Sequence, residues 1–355
     1  MMVVFSSSEV RNDAGSDAVF QPHGADLTAK VAFLSGPNAF RAGTAAQTVE
    51  THMSWIFLTG DRAFKLKKPV KFPYLDFSTV ALREKYCRAE LALNRRLAPD
   101  VYLRVVPLTL NEGQRLQIGD GGEIVDWLVE MRRLPSDRML DRLIARGLAH
   151  DGTVASLAAR LGSFYRAAQP VRISPLAYVS RLQAEQQLNR GALSREGFPI
   201  DQARAIRALN DVDKALGTYR SQLESRVALG CLVDGHGDLR PEHICFENGV
   251  IIFDCLEFSE VLRQVDPVDE IAYLAIECSR LGADWIGAEV WQSLRRLLDW
   301  PDPVPLFAVH AARRALLRAR LALSHLFDPE PRDIEKWAPL TMQYLGLAER
   351  ALDQL

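Results

Sequence analysis

The apolar periodicity of this 355-residue chain turns from mainly strand-like to mainly helical near residue 137, and that change limits its architecture more than any single motif does. Up to about residue 132, apart from one helical segment at 78–97, the apolar runs are short and strand-like, and "AFKLK" alternates as a pleated strand requires. From about residue 137 they recur at helical spacing, in segments near 137–169, 174–194 and 200–228 broken by Gly147, Pro170, Gly191 and Pro199. The helical pattern resumes at "DPVDEIAYLAIECSRLG" and continues to the C-terminus. The expected architecture is α+β, with a small β-rich lobe over 26–132, a large helical lobe over 133–355 and a disordered tail over 1–25. The tail has neither the basic start nor the apolar core of a secretory signal.

Inside the first lobe, "SWIFLTGDRAFKLKKPV" reads as a hairpin turning at "TGDR". Its second run puts Phe64 and Leu66 on one face and Lys65 and Lys67 on the other, so one face is core and the other carries charge. Lysines in this pattern are also usual on a solvated edge strand. Residues 78–97 carry Leu82, Tyr86, Ala89, Leu93 and Leu97 at helical spacing, with Ser78 or Thr79 as the cap and Pro99 beyond the end. Helix geometry places Glu90 at the margin of that apolar stripe and Glu84 toward water.

The helical half is interrupted by "VDGHGDLRPEHICFENGVIIFDCLEF", residues 233–258. Asp238 sits in a tight glycine-bearing loop, and Asp254 follows a short apolar strand that a turn at Asn248 and Gly249 reverses. Such a hairpin would bring both carboxylates into one cleft. An Asp that accepts a hydroxyl proton, an Asp that holds a divalent metal and a Lys–Glu pair that fixes phosphates are the parts of a phosphoryl-transfer site. Asp238, Asp254, Lys65 and Glu90 are candidates for each, with Lys67 as the alternative lysine.

"HGDLRPEHI", "IIFDCLEF" and "DPVDEIA" resemble the catalytic loop, metal-binding strand and following helix of the aminoglycoside phosphotransferase and choline kinase superfamily. More narrowly, "ETHMSWIFLTGDRAFKLKKPVKFPYLDFS", "AELALNRRLAPDVYL" and "VEMRRLP" resemble the phosphotransferase-like half of an uncharacterised bacterial family, in which this half is often fused to a P-loop kinase domain. No GxxxxGK[ST] occurs in the chain. The resemblance implies a bilobal protein-kinase-like fold, with Asp238 as catalytic base and Asp254 as metal ligand. His236 would pack beneath the loop, and Asp269 would brace it by hydrogen bonds. Lys65, paired with Glu90, would bind the phosphates, Thr51 and Ser54 would cover them, and Glu130 and Met131 would form the hinge that receives adenine. The superfamily carries Asn at the fifth position after the catalytic Asp, where this chain has His243. Magnesium prefers oxygen to imidazole, so His243 would favour Mn²⁺, or Glu257 would supply the missing oxygen.

Composition narrows the remaining choices. A formal net charge of -2 gives no basic field for nucleic acid or an anionic membrane. The five cysteines lack CxxC spacing, which argues against a disulfide framework and a zinc site and fits a reducing cytoplasm. The expected activity is transfer of the γ-phosphoryl group of ATP, or another nucleoside triphosphate, to a hydroxyl of a small-molecule acceptor, with Mg²⁺ or Mn²⁺. Arg132, Arg133 and Arg240 are candidates for an anionic acceptor. The alternatives are a nucleotide-binding regulatory module and a transferase that moves AMP onto protein.

Overall fold

The computed structural model describes residues 25–40, 43, 45–72, 74–298, 304–328, 331 and 333–355. The expected tail over 1–25 therefore lies, apart from Ala25, outside the described residues. The chain forms two compact units. One runs to Leu134 and takes in Phe253–Ser259, and the other comprises Pro135–Ile252 and Glu260–Leu355.

The first unit is built on an antiparallel sheet. Its strands are β1 (Gln47–Glu50), β2 (Ser54–Thr59), β3 (Arg62–Lys67), β6 (Tyr102–Leu110), β7 (Leu116–Ile118) and β8 (Glu123–Arg132), in the order β1-β2-β3-β8-β6-β7. A small hairpin, β4 (Lys71–Phe72) with β5 (Leu75–Asp76), follows β3. Phe57, Phe64, Leu66, Val106, Leu108 and Leu128 fill one face of the sheet, with Leu34 of α1 (Leu27–Ser35) packed among them. Pleating sends the lysines of β3 the opposite way. Because β3 lies between β2 and β8, it is not an edge strand, and Lys65 and Lys67 are 7% and 0% exposed.

Helix α2 (Val80–Asn94) starts at Thr79, whose side chain accepts from Leu82 N–H. Its fully buried residues are not the expected apolar stripe but Arg83, Cys87, Glu90 and Asn94. Each polar one has a partner. Arg83 donates to both oxygens of Asp126 on β8, at 2.7 and 3.0 Å, and Lys30 of α1 reaches the same carboxylate at 2.9 Å. Burying charge is costly unless it is paired and hydrogen-bonded, and this trio meets that condition.

The second unit is helical. It contains α3 (Leu140–Ala145), α4 (Asp151–Ala167), α5 (Pro175–Leu193), α6 (Gln202–Thr218), α7 (Arg220–Ala228), the single turn α8 (Glu260–Arg263), α9 (Pro267–Arg280), α10 (Asp284–Leu298), α11 (Val304–Ser324) and α12 (Ile334–Leu352). Helix α11 packs against α5, α6, α9 and α12 and forms the centre of the bundle. Two short ribbons frame the polar loop: β9 (Val233–Asp234) with β12 (Gln264–Val265), and β10 (Ile244–Phe246) with β11 (Val250–Ile252). Asn248 and Gly249 turn the second ribbon with φ of +51° and +124°. Among the described residues, no helix is long and apolar enough to cross a membrane.

Candidate active site

The first unit gathers two lysines and three carboxylates. Lys65 Nζ lies 2.8 Å from Glu90 Oε1 and 2.9 Å from Asp254 Oδ1. Lys67 Nζ lies 2.6 Å from Glu90 Oε2 and also pairs with Glu257. Both lysines therefore meet Glu90, whereas choosing between Lys65 and Lys67 assumes that one does. Their i, i+2 spacing on one strand face makes the double contact possible. Burial works against the charge of Lys65, but Asp254, Glu90 and Glu257 outweigh it and raise its pKa well above the usual lysine range. Lys67 is raised in the same way, by Glu257 and Glu90 against burial. Burial pushes Glu90 upward, and the two ammonium groups overcome this and hold it below its usual value.

The segment carrying Asp254 is pinned to this cluster. Asp254 N–H donates to the Tyr102 hydroxyl at 3.2 Å, and Cys255 N–H donates to Asn94 Oδ1 at 2.9 Å. Asp254 adopts φ of +62°, a left-handed conformation that Asp tolerates better than most residues and that often marks a functional position. Lys65, Asp254 and Glu257 line a pocket with Thr51, Met53, Ser54, Leu256 and Phe258. Thr51 and Ser54 close the turn between β1 and β2 through reciprocal bonds of 2.9 Å.

Glu130 and Met131 lie within β8, opposite Phe64 and Ala63 of β3. The Glu130 side chain accepts from Arg104 at 2.6 Å, and the chain leaves the strand only after Arg132.

The second unit holds the loop around Asp238. Arg240 Nε stands 3.0 Å from Asp238 Oδ1, and the Tyr273 hydroxyl donates to the same oxygen at 3.1 Å. Burial works to raise the Asp238 carboxyl, yet the Arg240 guanidinium helps hold it well below the usual carboxylate range. His236 is fully buried, and its Nδ1 accepts from Asp238 N–H at 3.3 Å. Gly237 has φ of +84°. At Gly235 a Cβ would meet Val265 Cγ2 at 2.6 Å and Glu270 Oε2 at 2.8 Å, so a larger residue there would force one of these side chains to move.

Asp269 does not make the contacts expected of a loop brace. Its two oxygens accept from Arg314 Nε at 2.7 Å, Arg314 Nη2 at 2.8 Å and Arg313 Nη2 at 2.7 Å, tying α9 to α11. Against the effect of burial, these arginines lower its pKa below the ordinary range. The neighbouring Glu270 holds the loop instead, accepting from Gly237 N–H with one oxygen and from Tyr165 OH at 2.8 Å with the other. Two adjacent acids in the first turn of a helix differ by about 100° in direction, and the sequence does not say which turns toward the loop. The contributions of Tyr102, Asn94 and Tyr273 had no sequence signal, since each depends on contacts distant in the chain.

Asp254 and Glu257 offer the oxygen donors that magnesium favours. No group of three or more His, Cys, Asp or Glu residues arranged to hold a metal occurs among the described residues. Magnesium is commonly held by one or two carboxylates plus substrate phosphates, so this pair fits that ion.

No protein-family model matches the chain. An uncharacterized protein of Mycobacterium tuberculosis is 31% identical over 285 residues, covering 79% of this chain and 55% of that protein. An uncharacterized protein of Mycobacterium bovis matches to the same extent. The chain thus spans about half the length of the curated relatives it matches. Among solved structures, a choline/ethanolamine kinase family protein from Mesorhizobium loti superposes with a TM-score of 0.52 at 14% identity, covering 92% of this chain and 99% of that one. Choline kinase from Cryptosporidium parvum gives 0.53 at 12% identity, with 92% and 96% covered. At these identities the likeness establishes a fold: a sheet-rich N-terminal unit and a helical C-terminal unit of the protein-kinase-like type.

Proposed function

We propose that the protein is a small-molecule kinase that transfers the γ-phosphoryl group of ATP, or another nucleoside triphosphate, to an acceptor hydroxyl. The observation that carries this reading is the Lys65 ammonium, held 2.8 Å from Glu90 and 2.9 Å from Asp254 in the wall of a pocket. Phosphoryl transfer needs positioning and charge neutralisation rather than a covalent nucleophile, and a fixed cation beside an oxygen donor supplies both. The names of the structures sharing the fold, choline kinase among them, support the same class of reaction.

Lys65 binds the nucleotide phosphates, with Glu90 fixing its direction. Asp254 and Glu257 are the residues that would hold Mg²⁺ or Mn²⁺, which when bound supplies a positive charge that screens the phosphate oxygens. Asp238 accepts the proton of the acceptor hydroxyl. A carboxylate kept ionised beside Arg240 suits a base that acts as the P–O bond to the leaving group breaks, when the attacking hydroxyl has become more acidic. Glu130 and Met131, expected as the hinge for the base of the nucleotide, are paired with β3 and β6 inside the sheet and have no part in this reading. The resemblance to the phosphotransferase-like half of a bacterial family, often joined to a P-loop kinase domain, belongs to this reading, and the greater length of the mycobacterial relatives supports it.

The test is incubation of the purified protein with γ-labelled ATP, Mg²⁺ or Mn²⁺ and a metabolite pool, with the label followed by mass spectrometry. Labelled metabolites are expected. Nucleotide binding without any transfer, or AMP adducts on protein, would contradict the reading.

A further inference from the structure

His243 occupies the position where a metal ligand is expected from the resemblance, yet its surroundings suit another task. The ring is 1% exposed, and both nitrogens are engaged. Nδ1 lies 2.8 Å from the Asp238 carbonyl oxygen, and Nε2 lies 3.0 Å from Arg240 Nη2. A carbonyl oxygen can only accept and a guanidinium can only donate. These two partners therefore fix the ring as neutral, with the proton on Nδ1 and the lone pair of Nε2 directed at Arg240. A metal-bound imidazole must give a lone pair to the ion. The one lone pair of this tautomer already accepts from Arg240.

From this geometry we infer that His243 is a positioning residue for Asp238 and not a metal ligand. It holds two things at once: the backbone of Asp238 through Nδ1–H, and the guanidinium of Arg240 through Nε2. Arg240 in turn stands 3.0 Å from Asp238 Oδ1, and its Nη1 donates to Glu242 Oε1 at 2.7 Å. The Tyr273 hydroxyl fixes the same Asp238 oxygen from α9. The carboxylate is thereby set from its backbone and its side chain together. The role of Asp238 as base rests on the phosphotransferase reading, whereas the tautomer of His243 does not.

The first test needs no activity. In ¹⁵N-histidine-labelled protein, long-range proton–nitrogen spectra report which ring nitrogen carries the proton, and comparison with His243→Asn assigns the signal among the seven histidines. The expected result is an Nδ1-protonated neutral ring whose Nε2 signal is the same with ADP alone as with ADP and Mg²⁺. A ring protonated on Nε2, or an Nε2 signal that moves only when Mg²⁺ joins ADP, would overturn the inference even if no phosphoryl transfer is ever found.

The second test separates positioning from ligation. Mn²⁺ affinity of the ADP-loaded protein, read by electron paramagnetic resonance, should change less than about twofold in His243→Phe, whereas loss of a metal-site residue weakens binding by roughly 10–100-fold. ATP turnover in His243→Phe should fall by about 100-fold with the nucleotide KM little changed, as expected when a reacting group is displaced. His243→Asn keeps an N–H for the Asp238 carbonyl and should recover about tenfold or more of that loss. Weakened Mn²⁺ binding, or turnover lost equally in both variants, would contradict the positioning role.

Discussion

Lys67 Nζ stands 2.6 Å from Glu90 Oε2, on the carboxylate whose other oxygen is taken by Lys65. The two lysines of β3 therefore divide one glutamate, and their further partners separate their tasks. Lys67 is fully buried, pairs with Glu257 and lies 4.9 Å from the centre of the Phe77 ring. Lys65 faces the pocket.

This division predicts opposite phenotypes. Lys67→Met leaves buried carboxylates short of a cation and should cost roughly 3–5 kcal/mol of stability in urea unfolding. Lys65→Met keeps the Lys67–Glu90 pair, so it should fold with a smaller loss and weaken ATP binding by roughly 10–100-fold, the worth of a charged hydrogen bond. Titration calorimetry beside the unfolding curves reads both effects. The reverse order of effects would assign the phosphate contact to Lys67.

Gly235 supplies a prediction about the loop. A methyl group there meets Val265 and Glu270 at under 3 Å. Gly235→Ala should therefore displace Glu270 from the Gly237 N–H and lower ATP turnover by at least about tenfold, with nucleotide affinity changed less than about twofold. Full turnover in this variant would mean that the Glu270 contact does not set the loop.

Stability should depend on pH through His310. This residue is fully buried on α11, 3.5 Å from Asp269 Oδ1, with neither ring nitrogen hydrogen-bonded. Burial pushes its pKa down to about 4, with Asp269 opposing that shift. In the unfolded chain it titrates near ~6.5, so between these values the unfolded state binds the extra proton and folding weakens as pH falls. The loss across that window should approach about 3 kcal/mol. His310→Gln should flatten the slope between pH 4 and 6.5 in urea unfolding, and an unchanged slope would exclude His310 as its source. Asp269, also held low, adds a further loss only below about pH 4, where the unfolded carboxyl becomes protonated.

The sequence told most where spacing alone decides geometry. The i, i+2 spacing of Lys65 and Lys67 puts both on the face opposite Phe64 and Leu66 whatever the strand packs against. Asn248 and Gly249 mark their turn through the positive φ that each adopts. Helix spacing favours Glu90 over Glu84, but for a reason the structure replaces: the helix buries Arg83, Glu90 and Asn94 because each meets a distant polar partner, not because an apolar stripe carries Glu90 inward. Contacts between distant segments were beyond reach. Asp269 and Glu270 are neighbours with the same charge, and only the position of α11, which brings Arg313 and Arg314 to one of them, tells them apart. For His243 the residue type suggested a ligand, and only the Asp238 carbonyl and Arg240 reveal that its nitrogens are already engaged.

The assignment of Asp238 is tested most directly by Asp238→Asn, which preserves shape and removes the proton-accepting carboxylate. ATP affinity by calorimetry should stay within about twofold of the parent protein, while turnover with the identified acceptor should fall by about 10²–10⁴-fold, the range supplied by a positioned base. If turnover stays near the parent value while affinity is unchanged, Asp238 is not the base, and the account of this protein as a phosphotransferase built around that carboxylate is contradicted.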